Sequence, residues 1–179
     1  MTRLAHFAVL CAVCSGCASR QAVPQKAAAP QEVVFAEGRL KTVVPGPTWT
    51  GVKDSRITDG EIVTYYGLLL SNADGAEIGL KLYPAASASV LMMADHLRDA
   101  LSRLNESRLE ELDYAPENED RASFRYTYFD GSSTMAGKVA VVRFGDDLGV
   151  VIVGTWPSGS TGDAAAFEAV IAALARATR

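Results

Sequence analysis

The residues best suited to act as thiol ligands or nucleophiles lie near the N-terminus, where the chain reads AVCSGCAS. All three cysteines of the protein lie within seven residues, with Cys14 and Cys17 inside this stretch and Cys11 directly before it. Cys14 and Cys17 have the C-x-x-C spacing of a zinc or redox motif. No second pair of ligands follows downstream, and the flanking sequence lacks the βαβ pattern of a thioredoxin-like site. The spacing therefore favours a processing signal over a metal or redox site.

The sequence around the cysteines is typical of an export signal. Arg3 supplies positive charge, a mostly apolar run covers Leu4–Val13, and the small pair Ser15–Gly16 directly precedes Cys17. The run is too short for a permanent membrane-spanning helix, which needs about 20 residues. The pattern resembles the lipobox of bacterial lipoproteins, where the peptide is cut before a cysteine that becomes acylated. Cys14 occupies the position at which the lipobox usually has Leu.

The lipobox predicts three segments and a location. We expect a signal peptide over 1–16, the lipidated cysteine and a flexible linker over 17–32, and a single globular domain over 33–179. The linker is rich in Ala, Gln and Pro and has no apolar period. Acyl chains such as palmitate on Cys17 would anchor the domain in the bacterial cell envelope. Ala18, rather than Asp, after the cysteine favours the periplasmic face of the outer membrane, and simple cleaved secretion is the alternative.

Overall composition indicates a globular domain and excludes a nucleic-acid partner. Hydrophobic residues make up 49% of the chain and charged residues 21%, as in ordinary folded proteins. The formal net charge is -4, and no cluster of Lys and Arg is present to meet phosphates.

His96 is the one histidine that remains after removal of residues 1–16. It lies beside Asp95 and three residues before Asp99, so a hydrolase that uses His96 as its base is an alternative function. The chain contains no G-x-S-x-G elbow, and a His–Asp pair on a solvated helix face is the simpler interpretation. One histidine without a free thiol excludes a zinc site built from N and S ligands.

The stretch GTWPSGST, Gly154–Thr161, has the G-x-x-x-x-G-x-[ST] skeleton of a phosphate-binding loop. Ser160 stands where the loop needs lysine, and Asp163 would repel a phosphate at the helix N-terminus. We therefore predict a strand-to-helix connection capped by Thr161 or Asp163, and neither a nucleotide nor any other cofactor.

The acidic run EELDYAPENED, residues 110–120, could supply oxygen ligands for calcium. It lacks the spacing and the glycine of an EF-hand, so we predict a solvated loop and no metal site. The carboxylates concerned are Glu110, Glu111, Asp113, Glu117, Glu119 and Asp120.

Hydrophobic periodicity predicts strands over 33–45 (with a turn at Glu37–Gly38), 61–70, 76–83, 108–114, 123–129, 135–144 and 148–156. The turn SNADG makes the second and third segments a hairpin, and turns at Asp130–Gly131 and Gly145–Asp147 make the last three a meander. The segment GVVIVG is apolar at consecutive positions, so both faces of the strand are apolar. This indicates a central strand covered on both faces.

Two segments have the period of an amphipathic helix. The first, within 87–105, has its apolar face at Val90, Met93, Leu97, Leu101 and Leu104 and stops at Asn105. The second follows Asp163, buries Phe167, Val170, Ile171 and Leu174, and has Arg176 and Arg179 near its negative end.

The aromatic residues most able to line a pocket are Trp49, Tyr65, Tyr66, Tyr126, Tyr128 and Trp156. At alternate strand positions they are expected to pack in the core and across strands. A groove between sheet and helix that carries a small apolar ligand is the alternative.

Strands, a helix, more strands and a closing helix imply an α+β fold with an antiparallel sheet. An opening strand that runs through Pro45 and Pro47 into Trp49, an internal helix, a meander ending in GTWP and a final helix resemble the PsbP-like (PsbP/Mog/DcrB-type) superfamily. The resemblance implies an α-β-α sandwich and no shared active site.

We therefore expect a lipid-anchored, non-enzymatic cell-envelope protein that acts by contact with an envelope protein partner. A periplasmic carrier of a small apolar ligand is the first alternative, and the His96 hydrolase is the second.

Overall fold

The computed structural model describes residues 30–59, 62–85, 88–114 and 119–177, with side chains in these ranges except over 53–66. Its elements, in chain order, are β1 (Gln31–Phe35), β2 (Leu40–Val44), β3 (Trp49–Asp59), β4 (Ile62–Asn72), β5 (Glu77–Pro84), α1 (Val90–Leu101), β6 (Arg108–Leu109), β7 (Asp113–Tyr114), β8 (Arg121–Phe129), β9 (Thr134–Phe144), β10 (Leu148–Pro157), α2 (Thr161–Ala172) and β11 (Ala175–Arg176).

The strands form two antiparallel sheets. The large, eight-stranded sheet has the order β3-β4-β5-β10-β9-β8-β6, with β7 also paired to β8. The small, three-stranded sheet has the order β1-β2-β11. The predicted hairpin of β4 and β5 and the predicted meander of β8, β9 and β10 are both confirmed. The meander is joined to the earlier strands because β10 pairs with β5.

The central strand β10 is covered on both faces, as its unbroken apolar sequence predicts. Val150 and Ile152 belong to one buried cluster, whereas Val151 belongs to another. Successive side chains of a strand point to opposite faces, so these clusters lie on opposite sides of the sheet.

Each side of the large sheet has its own helix. On one side, Phe167 and Val170 of α2 are fully buried in the cluster that contains Ile152, together with residues of β1 and β2. The Thr42 hydroxyl on β2 donates a 2.7 Å hydrogen bond to the Val170 carbonyl, which ties the small sheet to α2. On the other side, Val90 and Ala94 of α1 pack in the cluster that contains Val151. The α+β fold with helices on both faces of an antiparallel sheet is therefore confirmed.

Three boundaries differ from the sequence-based expectations. The strand β3 was not predicted, because its sequence WTGVKDSRITD mixes charged, polar and apolar residues without a clean alternation. Among the described strands it pairs with β4 alone, and that pairing has two register shifts. Helix α1 ends at Leu101 instead of continuing to Asn105, so Leu104 lies beyond the helix and is 37% exposed. The single strand predicted over 108–114 is divided into β6 and β7.

Both ends of α2 also differ from the sequence-based prediction. Ser160 is the N-cap, not Thr161 or Asp163, and its hydroxyl oxygen accepts the Asp163 N–H at 3.4 Å. Arg176 does not extend the helix end but lies in β11, where it donates to the Phe144 carbonyl at 2.7 Å and to the Asp147 carboxylate. Arg179 lies outside the described residues.

Candidate functional site

Two surface clefts lie on either side of the first turns of α2, and Ala165 lines both. The larger, about 500 Å³, is bordered by Pro45–Trp49, the β4–β5 turn and Ser160 to Ala169. The smaller, about 380 Å³, lies between α2 and strands β8 and β9; we call it the charged cleft. Its lining includes Glu110, Arg125, Lys138, Trp156, Ala164 and Glu168.

The charged cleft exists because α2 covers only part of its side of the sheet. Helix α2 packs over β10 and β2, which leaves the same face of β8 and β9 open beside it. Ala136 and Ala140 of β9 pack in the α2-side cluster, so the intervening Lys138 points to that side as well. Arg125 is opposite Lys138 in the ladder and shares its face.

Four charged residues form a row across this cleft. The Glu110 N–H donates a 2.9 Å hydrogen bond to the Arg125 carbonyl, which places Glu110 beside Arg125 at the sheet edge. Arg125 is paired with Lys138 of β9, and Lys138 Nζ is 2.6 Å from Glu168 Oε1 of α2. The row therefore reads carboxylate, guanidinium, ammonium, carboxylate, with its two cations adjacent at the centre.

The two central cations are not equally compensated. Like charges directly opposite each other in a sheet are destabilising. Glu168 offsets the charge of Lys138, whose side chain is only 15% exposed. Among the described residues, neither the Arg125 guanidinium nor the Glu110 carboxylate is within ion-pair distance of a partner. Arg125 thus presents an unpaired positive charge to the cleft.

The floor of the charged cleft is aromatic and rigid. The Trp156 side chain is 7% exposed and packs on Phe167 of α2, with ring centroids 5.8 Å apart. On the opposite face of the sheet, in the cluster beneath α1, the buried Tyr126 hydroxyl lies 3.1 Å from both the Gly154 carbonyl and Thr155 Oγ1. Burial raises the pKa of Tyr126, only partly offset by the hydrogen bond to Thr155, so this hydroxyl remains neutral well into the alkaline range. The cleft joins an apolar floor to two cations, a combination suited to a carboxylate next to apolar groups.

The larger cleft is bordered by a completed polar brace. The Asp163 carboxylate, in a residue only 9% exposed, accepts the Asn72 amide at 2.9 Å and the Ser160 hydroxyl at 2.6 Å. The Asn72 side-chain oxygen in turn accepts the N–H groups of Asp74 and Ala76. Because both carboxylate oxygens have partners, this group connects the β4–β5 turn to α2, and its role is structural.

His96 is exposed on α1, on the side of the sheet away from the charged cleft. It lines neither of the two clefts beside α2, nor a further cleft of about 230 Å³ beside Tyr128. Within the described part of the chain no hydrogen bond joins it to a serine or a carboxylate. This placement gives no support to the hydrolase alternative.

The phosphate-loop skeleton is not a loop in the structure. Gly154 lies inside β10, where an added Cβ would come within 2.4 Å of the Phe167 ring, and Ser160 is occupied as the helix cap. In the acidic run, Glu117 lies outside the described residues. Among the residues that are described, no group of three or more His, Cys, Asp or Glu side chains is arranged to hold a metal ion.

Of the aromatic residues considered for a pocket, Trp49, Tyr126 and Trp156 are buried in the two cores. Tyr128 is half-buried and stacks on Tyr126 with ring centroids 6.1 Å apart. The side chains of Tyr65 and Tyr66 lie outside the described set. The two helix–sheet interfaces contain packed side chains, and the two larger clefts described above lie beside α2 at the surface.

Residues 1–29 lie outside the described part of the chain. They include Cys17 and the other two cysteines. No helix in the described part of the chain is long and apolar enough to cross a membrane.

The charged cleft was not found in the sequence, although a signal for it was present. Arg125 and Lys138 both occur in predicted strands of one hairpin. Once the turn at Asp130–Gly131 is positioned, strand pairing places them opposite each other. What could not be read was the position of α2, which brings Glu168 to Lys138 and forms the second wall.

Comparison with known proteins supports the fold. No family model matches the sequence, and no curated protein sequence matches it. The crystal structure of the Saccharomyces cerevisiae Ran-binding protein Mog1p matches with a TM-score of 0.55 and 17% identity, over 82% of this chain and 94% of that chain. A Mog1 mutant matches with a TM-score of 0.55 and 17% identity, over 83% of this chain and 96% of that one.

A third similar structure is the solution structure of cyanobacterial PsbP (CyanoP) from Synechocystis sp. PCC 6803. Its TM-score is 0.54 at 10% identity, over 82% of this chain and 92% of that chain. At these identities the likeness concerns the fold alone. The PsbP/Mog-like fold expected from the order of elements is thus confirmed.

Proposed function

We propose that this chain is a lipid-anchored, non-enzymatic protein of the bacterial cell envelope that works by contacting another protein. Its acyl anchor is on Cys17, and 17–32 serves as the tether between membrane and domain. The export signal and lipobox pattern around Cys17 support the anchor. The anchored cysteine places the folded domain on the periplasmic face of a membrane, with the outer membrane favoured by Ala18.

The observation that carries protein contact is the open, charged cleft beside α2, set against well-filled interfaces between sheet and helices. The interface between the sheet and α2 has no free space at Gly154, where even a methyl group would collide with Phe167. A carrier needs an enclosed space for its ligand, whereas a contact protein needs an accessible surface with specific charges. A structure of the same fold is described as a Ran-binding protein, so this architecture can serve a protein that binds another protein.

The anchor is tested by labelling cells that express the full chain with an alkyne analogue of palmitate. We expect label and membrane fractionation for the natural sequence, and loss of both in Cys17→Ser. The matched variant Cys14→Ser, three residues earlier, should keep both, because residue 14 is discarded with the signal peptide. Label that persists in Cys17→Ser would contradict the anchor.

The contact is tested in the native envelope with a photo-reactive amino acid at Ala165 in the cleft or at Met92 on α1, which is 54% exposed on the other side of the sheet. We expect a discrete protein adduct from position 165. Failure of both positions to give any protein adduct would reject contact as the function.

A further inference from the structure

We propose that the charged cleft binds a carboxylate of an acidic, extended segment of the partner protein, held between Arg125 and Lys138. This inference rests on the proposed function and names the chemistry of the partner. The cations are neighbours across the β8–β9 ladder, and Arg125 has no ion pair among the described residues. A carboxylate placed between them would form an ion pair with Arg125 and would offset the repulsion between the two cations.

The flanking groups favour a carboxylate over a phosphate. Glu110 stands beside Arg125 at one end of the row, and Glu168 stands on Lys138 at the other, 2.6 Å away. A doubly charged phosphate would meet repulsion from both ends, and a singly charged carboxylate would meet less of it because it carries half the charge. The guanidinium can also take a carboxylate with two parallel hydrogen bonds.

The shape of the cleft favours an extended segment. A space of about 380 Å³ accepts one or two side chains but no folded element. Its α2 wall is built from Ala164 and Ala165, whose short side chains leave the sheet face accessible beside Trp156. The segment therefore carries an apolar side chain next to its carboxylate, the first against Trp156 and the second between the cations.

The test uses the full acylated chain in nanodiscs of neutral phospholipid and three fluorescent peptides. The acidic probe contains Leu-Glu-Leu-Glu-Leu, and its matched controls replace both Glu residues by Gln or by Lys. We expect only the acidic peptide to bind, with an affinity that falls as salt is raised. Arg125→Gln and Lys138→Gln should each weaken binding about tenfold or more. Excess inorganic phosphate should not compete.

The matched control is Arg121→Gln, an exposed cation of the same strand that is opposite Val142 and does not line the cleft. It should change the affinity by less than about threefold. A photo-reactive Leu in the acidic peptide should label the segments that contain Ala136 and Ala164. Equal binding of the three peptides, no binding of the acidic one, equal effects of Arg121→Gln and Arg125→Gln, or labelling elsewhere would each overturn the proposal.

These outcomes separate the two proposals. If the adduct from position 165 persists in Arg125→Gln and Lys138→Gln cells, the protein contact stands and the carboxylate site is wrong. If Cys17 carries no acyl group but the acidic peptide binds as expected, the site stands and the proposed anchor is wrong. Binding that appears only with discs of anionic lipid would assign the cleft to a membrane surface and overturn the carboxylate site.

Discussion

The side-chain amide of Asn72 donates a 2.9 Å hydrogen bond to the Asp163 carboxylate, 91 residues further along the chain. This bond ties the turn after β4 to the first turn of α2, and α2 is the wall that both clefts share. The same Asn72 closes its own turn by accepting two backbone N–H groups. One side chain therefore closes a local turn and binds the first turn of a distant helix.

Asn72→Asp should keep the turn. It should also place a second carboxylate next to that of Asp163. We expect the free energy of unfolding at neutral pH to fall by about 1–3 kcal/mol, because a buried hydrogen bond is replaced by charge repulsion. Denaturant titrations at pH 7 measure this. Asp74→Asn, an exposed change in the same turn, should stay within about 0.5 kcal/mol.

Gly137→Ala should destabilise the domain strongly. An added Cβ would lie 2.4 Å from the Gly154 carbonyl oxygen and 2.4 Å from Tyr126 Cζ, and the carbonyl belongs to the neighbouring strand. Overpacking of this kind costs about 1–3 kcal/mol. Thermal unfolding should show a lowered Tm.

Gly162→Ala is the matched control for that change. It faces open space in the first turn of α2 and should raise stability by up to about 1 kcal/mol through helix propensity. A Gly137→Ala protein as stable as the natural one would show that β8, β9 and β10 do not approach as closely as described.

Tyr83→Phe and Tyr126→Phe should differ at neutral pH. The buried Tyr83 hydroxyl has no hydrogen-bond partner among the described residues, so its removal should leave stability unchanged or improved. The Tyr126 hydroxyl bonds to Gly154 and Thr155, so its removal should cost about 1 kcal/mol. Chemical denaturation at pH 7 distinguishes the two, and an equal loss in both would contradict the assignment of partners.

The raised pKa values of Tyr83 and Tyr126 predict that the free energy of unfolding falls at alkaline pH. Burial raises the pKa of Tyr83, against a smaller lowering by Arg143, and burial also raises the pKa of Tyr126. Above about pH 10 the unfolded chain ionises first, so stability falls as pH rises toward the folded-state pKa values. Unfolding free energies measured from pH 9 to 11 should fall less steeply in Tyr83→Phe. An identical slope in the variant would contradict this.

Glu168→Gln should lower the free energy of unfolding, because it removes the carboxylate that offsets the repulsion between Arg125 and Lys138. Since the Glu168 side chain is 50% exposed, the loss should stay below about 1 kcal/mol and should diminish in high salt. Adding Arg125→Gln should recover part of the loss, whereas adding Arg121→Gln should not. A double-mutant cycle without coupling between residues 125 and 168 would mean that the row of charges is not electrostatically connected.

Much of the fold could be predicted because local rules govern it. The alternation of Ile78, Leu80 and Leu82 marks a strand with one buried face, and all three are buried. The edge strand β3 could not be recognised because an edge carries charges and register shifts that erase the period. Capping at Ser160 was misplaced by one to three residues, since neighbouring residues of similar capping propensity compete and Asn72 binds one of them.

By itself, the sequence determined the alternation of strands and helices and the double coverage of β10, since each depends on residues close in the chain. It also contains the pattern on which the proposed lipidation of Cys17 rests. Only the tertiary structure decided that α2 stops short of β8 and β9, and that Glu168 reaches Lys138 while Arg125 has no ion pair within the described part of the chain. These features depend on how far a helix lies from each strand of the sheet. That distance is set by contacts between residues far apart in sequence, such as Thr42 and Val170.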